Sequence, residues 1–208
     1  NTKQKNKKKK KRRKFKIKNM KQGGKIAGGN PERGRVDNDY YATHTDSTKA
    51  LLEVWNIEYP ALEPACGEGH ISKLLDPYRT KSFDLVDRGF GNVGVDFLTN
   101  EFNAEYNTVI TNPPFKLFKE FVEKGLKVAK KHVIMFGKLQ ALEGAERATY
   151  FEQTPLKYVY VFKKRQQPLR NGSEIDELTG KKMNSSTMAF AWFVWEIGYE
   201  GEPIIRWL

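Results

Sequence analysis

The stretch Leu62–Ser72 reads LEPACGEGHIS. Apolar residues lead into it from Tyr59, Pro64 ends the extended run, and Gly67 and Gly69 permit a tight turn before ISKLLD resumes the apolar pattern. A short buried strand, a glycine turn and a helix start form the unit from which parallel α/β sheets are built. Working outward, the same alternation continues in both directions. Upstream, DYYATHTDSTKALLEVW (39–55) carries a capping cluster, Thr45-Asp46-Ser47, ahead of apolar residues at helical spacing. Downstream, SFDLVD (82–87), GNVGVDFL (91–98), NTVITNPPF (107–115), HVIMFG (132–137), LKYVYVF (156–162), TMAFAWFVWEIG (187–198) and PIIRWL (203–208) read as strands, the first ending on Asp87. FKEFVEKGLKVA (118–129) and ALEGAERATYFEQ (141–153) read as helices. The strands are apolar enough to be covered on both faces. The fold class expected is α/β, a mostly parallel sheet with helices on both sides.

Charge divides the chain. Residues 1–35 hold 16 Lys/Arg and one acid, a charge of +15, whereas residues 36–208 carry −3, so the net +12 belongs to one end. A near-neutral body over 36–208 and a basic, disordered tail over 1–35 are expected, because like charges repel and the tail has little apolar surface to bury. Its run Lys7, Lys8, Lys9, Lys10, Lys11, Arg12 and Arg13 suits a phosphate backbone, where each cation releases a condensed counterion. No apolar run approaches transmembrane length and the N-terminal residues have no signal-like apolar core, so no membrane association is expected. Cys66 is the single cysteine, which removes disulfide frameworks and cysteine-rich metal centres. His44, His70 and His132 lack metal-like spacing, and no metal site is expected. A cytoplasmic location follows, or a nuclear one in a eukaryotic host.

In open α/β sheets, ligands bind at the carboxyl ends of the strands. Polar outliers fall at those ends: Glu63, Asp87, Asp96 and Asn112. The glycine turn lacks a full dinucleotide fingerprint and a P-loop lysine, and acids flank it at Glu63 and Glu68. Carboxylates repel a pyrophosphate and suit a cationic ligand without phosphate, such as S-adenosylmethionine. Asp87 lies 20 residues after Gly67, the offset of an acid that holds ribose hydroxyls, and Asp96-Phe97 offers an adenine a carboxylate and an aromatic face.

TNPPF (111–115) supplies a second function. Pro113 biases Asn112 toward an extended backbone, and neither Pro113 nor Pro114 has an N–H. The Asn112 side-chain oxygen and the Pro113 carbonyl become acceptors on a stiff turn. Two acceptors can hold both hydrogens of an exocyclic amine and favour its attack on an electrophilic methyl group. Phe115 adds a stacking face.

In combination, EPACGEGH and TNPPF resemble the S-adenosylmethionine-dependent amino-group methyltransferases, and DYYATHTDSTKALLE resembles the segment preceding the cofactor motif in that group. DLVDRGFG, GVDFL, HVIMFGKLQALEG and SSTMAFAWFVWEIG are similar to the small phage and prophage DNA adenine-N6 methyltransferases. The resemblance spans residues 37–208 and implies a Rossmann-like, seven-stranded sheet with the last long strand antiparallel. It implies that Glu63, Ala65, Cys66 and Gly67 line the cofactor, that Asp87 holds the ribose, and that Asp96 and Phe97 hold the adenine. Tyr41 and Thr43 would sit near the methionine end, and Asn112, Pro113, Pro114 and Phe115 would hold the target amine and base. The implied reaction is methylation of adenine N6 in DNA. The same chemistry on RNA adenine or protein glutamine, or a catalytically silent nucleic-acid-binding relative, are the alternatives. Cys66 reads as a small contacting residue rather than a nucleophile.

A base inside a duplex must be flipped out to react. Lys138, Lys163, Lys164, Arg165 and Arg170, in loops after strands, are candidates for holding phosphates alongside the tail. The polar segment 163–186 is the only stretch free to act as a target-recognition insertion.

Overall fold

The structure is a computed structural model that describes residues 40–103, 105–166, 169–170, 175 and 188–208. The tail residues Lys7–Arg13 and most of the 163–186 segment lie outside the described residues.

Strands β1 (Tyr41–Ala42), β2 (Ala61–Glu63), β3 (Thr80–Asp84), β4 (Asn92–Val93), β5 (Thr108–Thr111), β6 (His132–Lys138), β7 (Leu156–Val161), β8 (Leu169–Arg170), β9 (Phe190–Glu196) and β10 (Ile204–Trp207) follow in chain order. The main sheet has eight strands in the order β10-β7-β9-β6-β5-β2-β3-β4. All its pairings are parallel except those of β9, which runs antiparallel to both β6 and β7. The antiparallel long strand is as expected, but the sheet has eight strands instead of seven. β10 is the additional one, pairing in parallel outside β7. β1 and β8 form a separate antiparallel pair, Tyr41 opposite Arg170.

Side-chain alternation produces two cores. Along β6, Val133 and Met135 face one side and Ile134 and Phe136 the other; along β9, Ala191, Phe193 and Trp195 alternate with Trp192 and Val194. The first face packs on helix α2 (Phe118–Val128), whose Phe118, Phe121, Val122, Gly125 and Val128 recur at helical spacing. Gly125 is needed there, since a Cβ would lie 3.0 Å from Val133. The second face packs on α1 (Thr45–Leu52), which is tied to the sheet by the Trp192 Nε1–H donating to the Ser47 carbonyl at 2.9 Å. Each fully buried large apolar side chain contributes roughly 1.5–3 kcal/mol.

Three local expectations change. The cap of α1 is His44, whose Nδ1 accepts from the Asp46 backbone N–H, rather than the Thr-Asp-Ser cluster that follows. The ISKLLD segment makes only a 3₁₀ turn over Ser72–Leu74. Pro77 explains this, because the residue before a proline is pushed out of the helical region and leaves too little chain for an α-helix. The segment 141–153 divides at Gly144, whose φ of +111° ends a 3₁₀ turn before α3 (Ala145–Glu152) begins.

The chain runs outward from β2 through β3 to β4, then returns to place β5 on the other side of β2. The carboxyl ends of β2 and β5 therefore diverge at a switch in strand order, where a crevice opens.

Candidate active site

A cleft opens at this switch point. Its wall is built from the β1 segment, the turn after β2, the ends of β3 and β5, and the loop after β4. Tyr41, Thr43, Glu63, Ala65, Cys66, Asp96, Phe97, Asn112, Pro113, Pro114 and Phe115 all line it. The fold thus brings Tyr41 and Asn112, 71 residues apart in the chain, onto one wall.

The orientation of Asn112 is fixed by its partner. Its Nδ2–H donates to the Tyr41 backbone carbonyl at 2.6 Å. A carbonyl can only accept, so this bond fixes which end of the amide is nitrogen. The other end, Oδ1, is buried and has no hydrogen-bond partner. An unsatisfied buried acceptor costs about 1–3 kcal/mol. The turn that follows has no N–H at Pro113 or Pro114 to satisfy it. Phe115 then lies beside the cleft, its ring 5.8 Å from Tyr41 at an interplanar angle of 25°. The Lys138 ammonium stands 4.5 Å from the Phe115 centroid.

The turn after β2 is held by acids and by one aromatic ring. Glu63 is fully buried and accepts from both the backbone N–H and the hydroxyl of Ser72. Burial, opposed by these bonds and reinforced by the Asp84 carboxylate, raises its pKa to about 8. Gly67 has a φ of +54°, and a Cβ there would lie 2.6 Å from the Tyr40 ring. Tyr40 in turn carries the Arg88 guanidinium 3.9 Å from its centroid. Burial pushes the Cys66 thiol up to about 12, so it stays protonated and unreactive, and its Sγ–H points at the Phe90 and Gly67 carbonyls.

Strand β3 ends at Asp84, not at Asp87. The Asp84 carboxylate is buried on the cleft wall and accepts from the backbone N–H groups of Gly67 at 2.7 Å and Val86 at 2.8 Å. Those bonds draw the chain out of the ladder three residues early. Asp87 is exposed, off the cleft wall, and closes a turn by accepting from the Gly89 N–H. Phe97 lines the cleft, but its ring is 2% exposed and packs between Phe102 and Phe121 in the core. Gly67 supports the turn from behind the wall. Asp96 accepts from Leu98 N–H and shapes the loop beneath the cleft.

The remaining basic candidates separate. Lys163, Lys164 and Arg165 lie beyond β7, with Lys163, Lys164 and Arg165 all exposed. Arg170 lies in β8 opposite Tyr41 through its backbone. Sequence reading missed Tyr40, His70, Asp84 and Arg88, which also line the cleft.

No protein-family model and no curated protein matches this sequence. Solved structures do. A protein from Listeria monocytogenes described as a class I S-adenosylmethionine-dependent methyltransferase superimposes with a TM-score of 0.57 at 14% identity, over 85% of this chain and 68% of that one. The methyltransferase subunit of a type I restriction-modification system from Streptococcus thermophilus gives 0.56 at 9% identity, over 82% of this chain and 48% of that one. The chain has the class I methyltransferase fold. A protein from Agrobacterium tumefaciens described as an O-methyltransferase gives 0.52 at 11% identity, over 79% and 85% of the two chains. This methyltransferase fold places its cleft at the carboxyl ends of β2, β3 and β5, where the Asn112 acceptor and the buried acids stand together.

Proposed function

We propose that the protein transfers a methyl group from S-adenosylmethionine to the N6 amine of adenine in DNA. The observation that carries the reading is the Asn112 amide, locked through Nδ2 to the Tyr41 carbonyl with its buried Oδ1 unpartnered on the cleft wall. Such an atom is satisfied only by an N–H or O–H brought into the cleft.

The wall fits the cofactor's chemistry. Asp84 and Asp96 line the cleft together with one guanidinium, Arg88, and with Glu63, whose raised pKa lets it ionise when a cation binds beside it, an arrangement that favours a cationic ligand over a pyrophosphate. Glu63, Ala65, Cys66, Asp84, Asp96, Tyr41 and Thr43 are the residues that would hold it. S-adenosylmethionine, when bound, supplies an electrophilic methyl group on a sulfonium.

The chain's own groups act on the amine. Asn112 Oδ1 accepts one amine hydrogen and the Pro113 carbonyl the other, which keeps the nitrogen lone pair out of the ring and free to react. No side chain has to remove a proton beforehand, because the methylated nitrogen becomes acidic and releases its proton to water. Phe115 offers a face for the base, and Lys138 beside it adds positive charge where a nucleic-acid strand would enter. The adenine must leave the duplex to reach this depth. The lysine-rich tail and the exposed Lys163, Lys164 and Arg165 would hold phosphates without reading sequence. The structural likeness to a restriction-modification methyltransferase subunit is consistent with this substrate.

The test is labelled-methyl transfer to DNA, RNA and protein pools, followed by nucleoside analysis of the labelled DNA. N6-methyladenine is expected; label confined to RNA or protein would overturn the DNA assignment. Asn112→Ala should lower transfer by about 100-fold or more, the usual cost of a preorganised polar group, with cofactor affinity nearly unchanged. Near-normal turnover in that variant would show that Asn112 does not hold the amine.

A further inference from the structure

Outside the Asn112 turn, a residue of the cleft wall carries a second unpartnered acceptor, here a nitrogen. His70 follows the glycine turn and lines the cleft. Its Nδ1 is buried and has no hydrogen-bond partner. The Glu68 carboxylate lies 3.7 Å from the other nitrogen, Nε2. A neighbouring carboxylate stabilises the tautomer that carries its proton on the nearer nitrogen, so Nε2 holds the hydrogen and Nδ1 presents a lone pair. Burial favours the neutral ring and outweighs the opposing influence of Glu68, while Lys73 and His44 act in the same direction as burial.

Position narrows the donor. Asn112 is bonded to Tyr41, and from Tyr41 the chain runs through Thr43 to His44, which is among the charged neighbours of His70. Tyr40, one residue earlier, accepts from the Glu68 backbone N–H. His70 therefore belongs to the side of the cleft formed by the β1 segment, which also holds the reacting-amine acceptor. Asp96 stands on the loop after β4, the edge strand beyond β3. In S-adenosylmethionine the sulfur joins two arms, an adenosine and an amino acid. If the adenosine extends toward Asp84 and Asp96, the amino-acid arm extends toward the glycine turn and His70. Its ammonium is a cationic N–H donor, the partner best matched to a neutral imidazole nitrogen backed by a carboxylate.

We infer that His70 is a cofactor-positioning residue, its Nδ1 accepting a hydrogen bond from the ammonium of the bound cofactor's amino-acid arm, with Glu68 setting the tautomer. This assignment rests on the proposed cofactor. It adds a residue that selects ligands carrying an amino acid over bare adenosine thioethers.

Two ligands separate the arms. S-adenosylhomocysteine contains both, whereas 5′-methylthioadenosine keeps the adenosine and the thioether and lacks the amino acid. Calorimetric affinities are measured for the full chain and for His70→Leu and His70→Asn. His70→Leu should weaken S-adenosylhomocysteine by roughly tenfold or more, as expected for a lost charge-assisted bond, and 5′-methylthioadenosine by less than about twofold, which also shows that the variant is folded. His70→Asn, which offers an amide oxygen close to the Nδ1 position, should recover most of the loss. In the wild type, affinity for S-adenosylhomocysteine should fall as acid protonates Nδ1, and this component should be missing in His70→Asn. Equal weakening of both ligands, or of neither, overturns the role of His70 while leaving the cofactor assignment intact. A wild-type protein that binds neither ligand removes the cofactor assignment and this role with it.

Discussion

Glu63→Gln tests the electrostatics of the site most directly. Glu63 is 1% exposed, accepts two hydrogen bonds from Ser72, and shares its surroundings with the Asp84 carboxylate. Its pKa rises from the ordinary 4.5 to about 8, with burial as the leading cause. A raised carboxyl pKa means that the folded state prefers the protonated form. The stability associated with that proton is fully present below pH 4.5 and is lost as pH rises toward 8. At 1.36 kcal/mol for each pKa unit, the loss approaches about 5 kcal/mol above pH 8. Glutamine imitates the protonated acid, since its oxygen can accept from Ser72 and it carries no charge at any pH. The variant should match the wild type near pH 4.5 and become progressively more stable above it.

Urea unfolding followed from pH 5 to 9 reads this difference. With a denaturant slope of about 2 kcal/mol per molar, the variant's midpoint should exceed that of the wild type by roughly 2 M at pH 8. Parallel pH profiles, or a variant less stable than wild type at pH 8, would refute the reasoning. The same carboxyl links to the proposed cofactor. At pH 7 a group with a pKa of about 8 is about nine-tenths protonated. A cationic ligand beside it favours ionisation, so binding should release close to one proton, seen as a dependence of the calorimetric enthalpy on buffer ionisation. Glu63→Gln should abolish that dependence.

Asp84→Ala should cost about 1–3 kcal/mol of stability, since it leaves the Gly67 and Val86 N–H groups without their acceptor, and should weaken cofactor binding measured by calorimetry. Asp87→Ala, in an exposed turn, should change stability by less than about 0.5 kcal/mol and leave cofactor affinity alone. Gly67→Ala should lower the thermal midpoint because its φ of +54° is strained for alanine and the new Cβ meets the Tyr40 ring; adding Tyr40→Ala should relieve the clash but not the backbone strain. Removing residues 1–35 should reduce both DNA affinity and the slope of log affinity against log salt, as fewer counterions are released; an unchanged slope would show that the tail does not touch phosphate.

Most of the sheet could be read from local pattern. β6 and β9 hold long apolar runs of strand length, and α2 has an unbroken helical period. What failed depended on contacts that no window contains. Asp84 and Asp87 are both acids near the end of an apolar stretch, and the offset from Gly67 favoured the later one. The fold favours the earlier, because Asp84, at the end of the strand beside β2, accepts from the Gly67 N–H. His70 carried no spacing signal, since its partner Glu68 is two residues away and its significance lies in an unpartnered nitrogen. The ISKLLD segment had the composition of a helix, and Pro77 cut it to a turn.

The pairing of Asn112 with Tyr41 explains why an uncharged amide suits this position. A carboxylate at residue 112 would set an acceptor against the Tyr41 carbonyl and lose the bond that orients the side chain. The amide does both tasks at once: its nitrogen anchors to the β1 segment, and its oxygen is left for a ligand. In the proposed reaction, the β1 segment therefore orients the group that meets the amine. Tyr41 holds Asn112 through its backbone and stacks its ring on Phe115, so a single residue orients both the Asn112 amide and the aromatic wall. It also pairs with Arg170 in β8, which ties the same residue to the segment read as a target-recognition insertion.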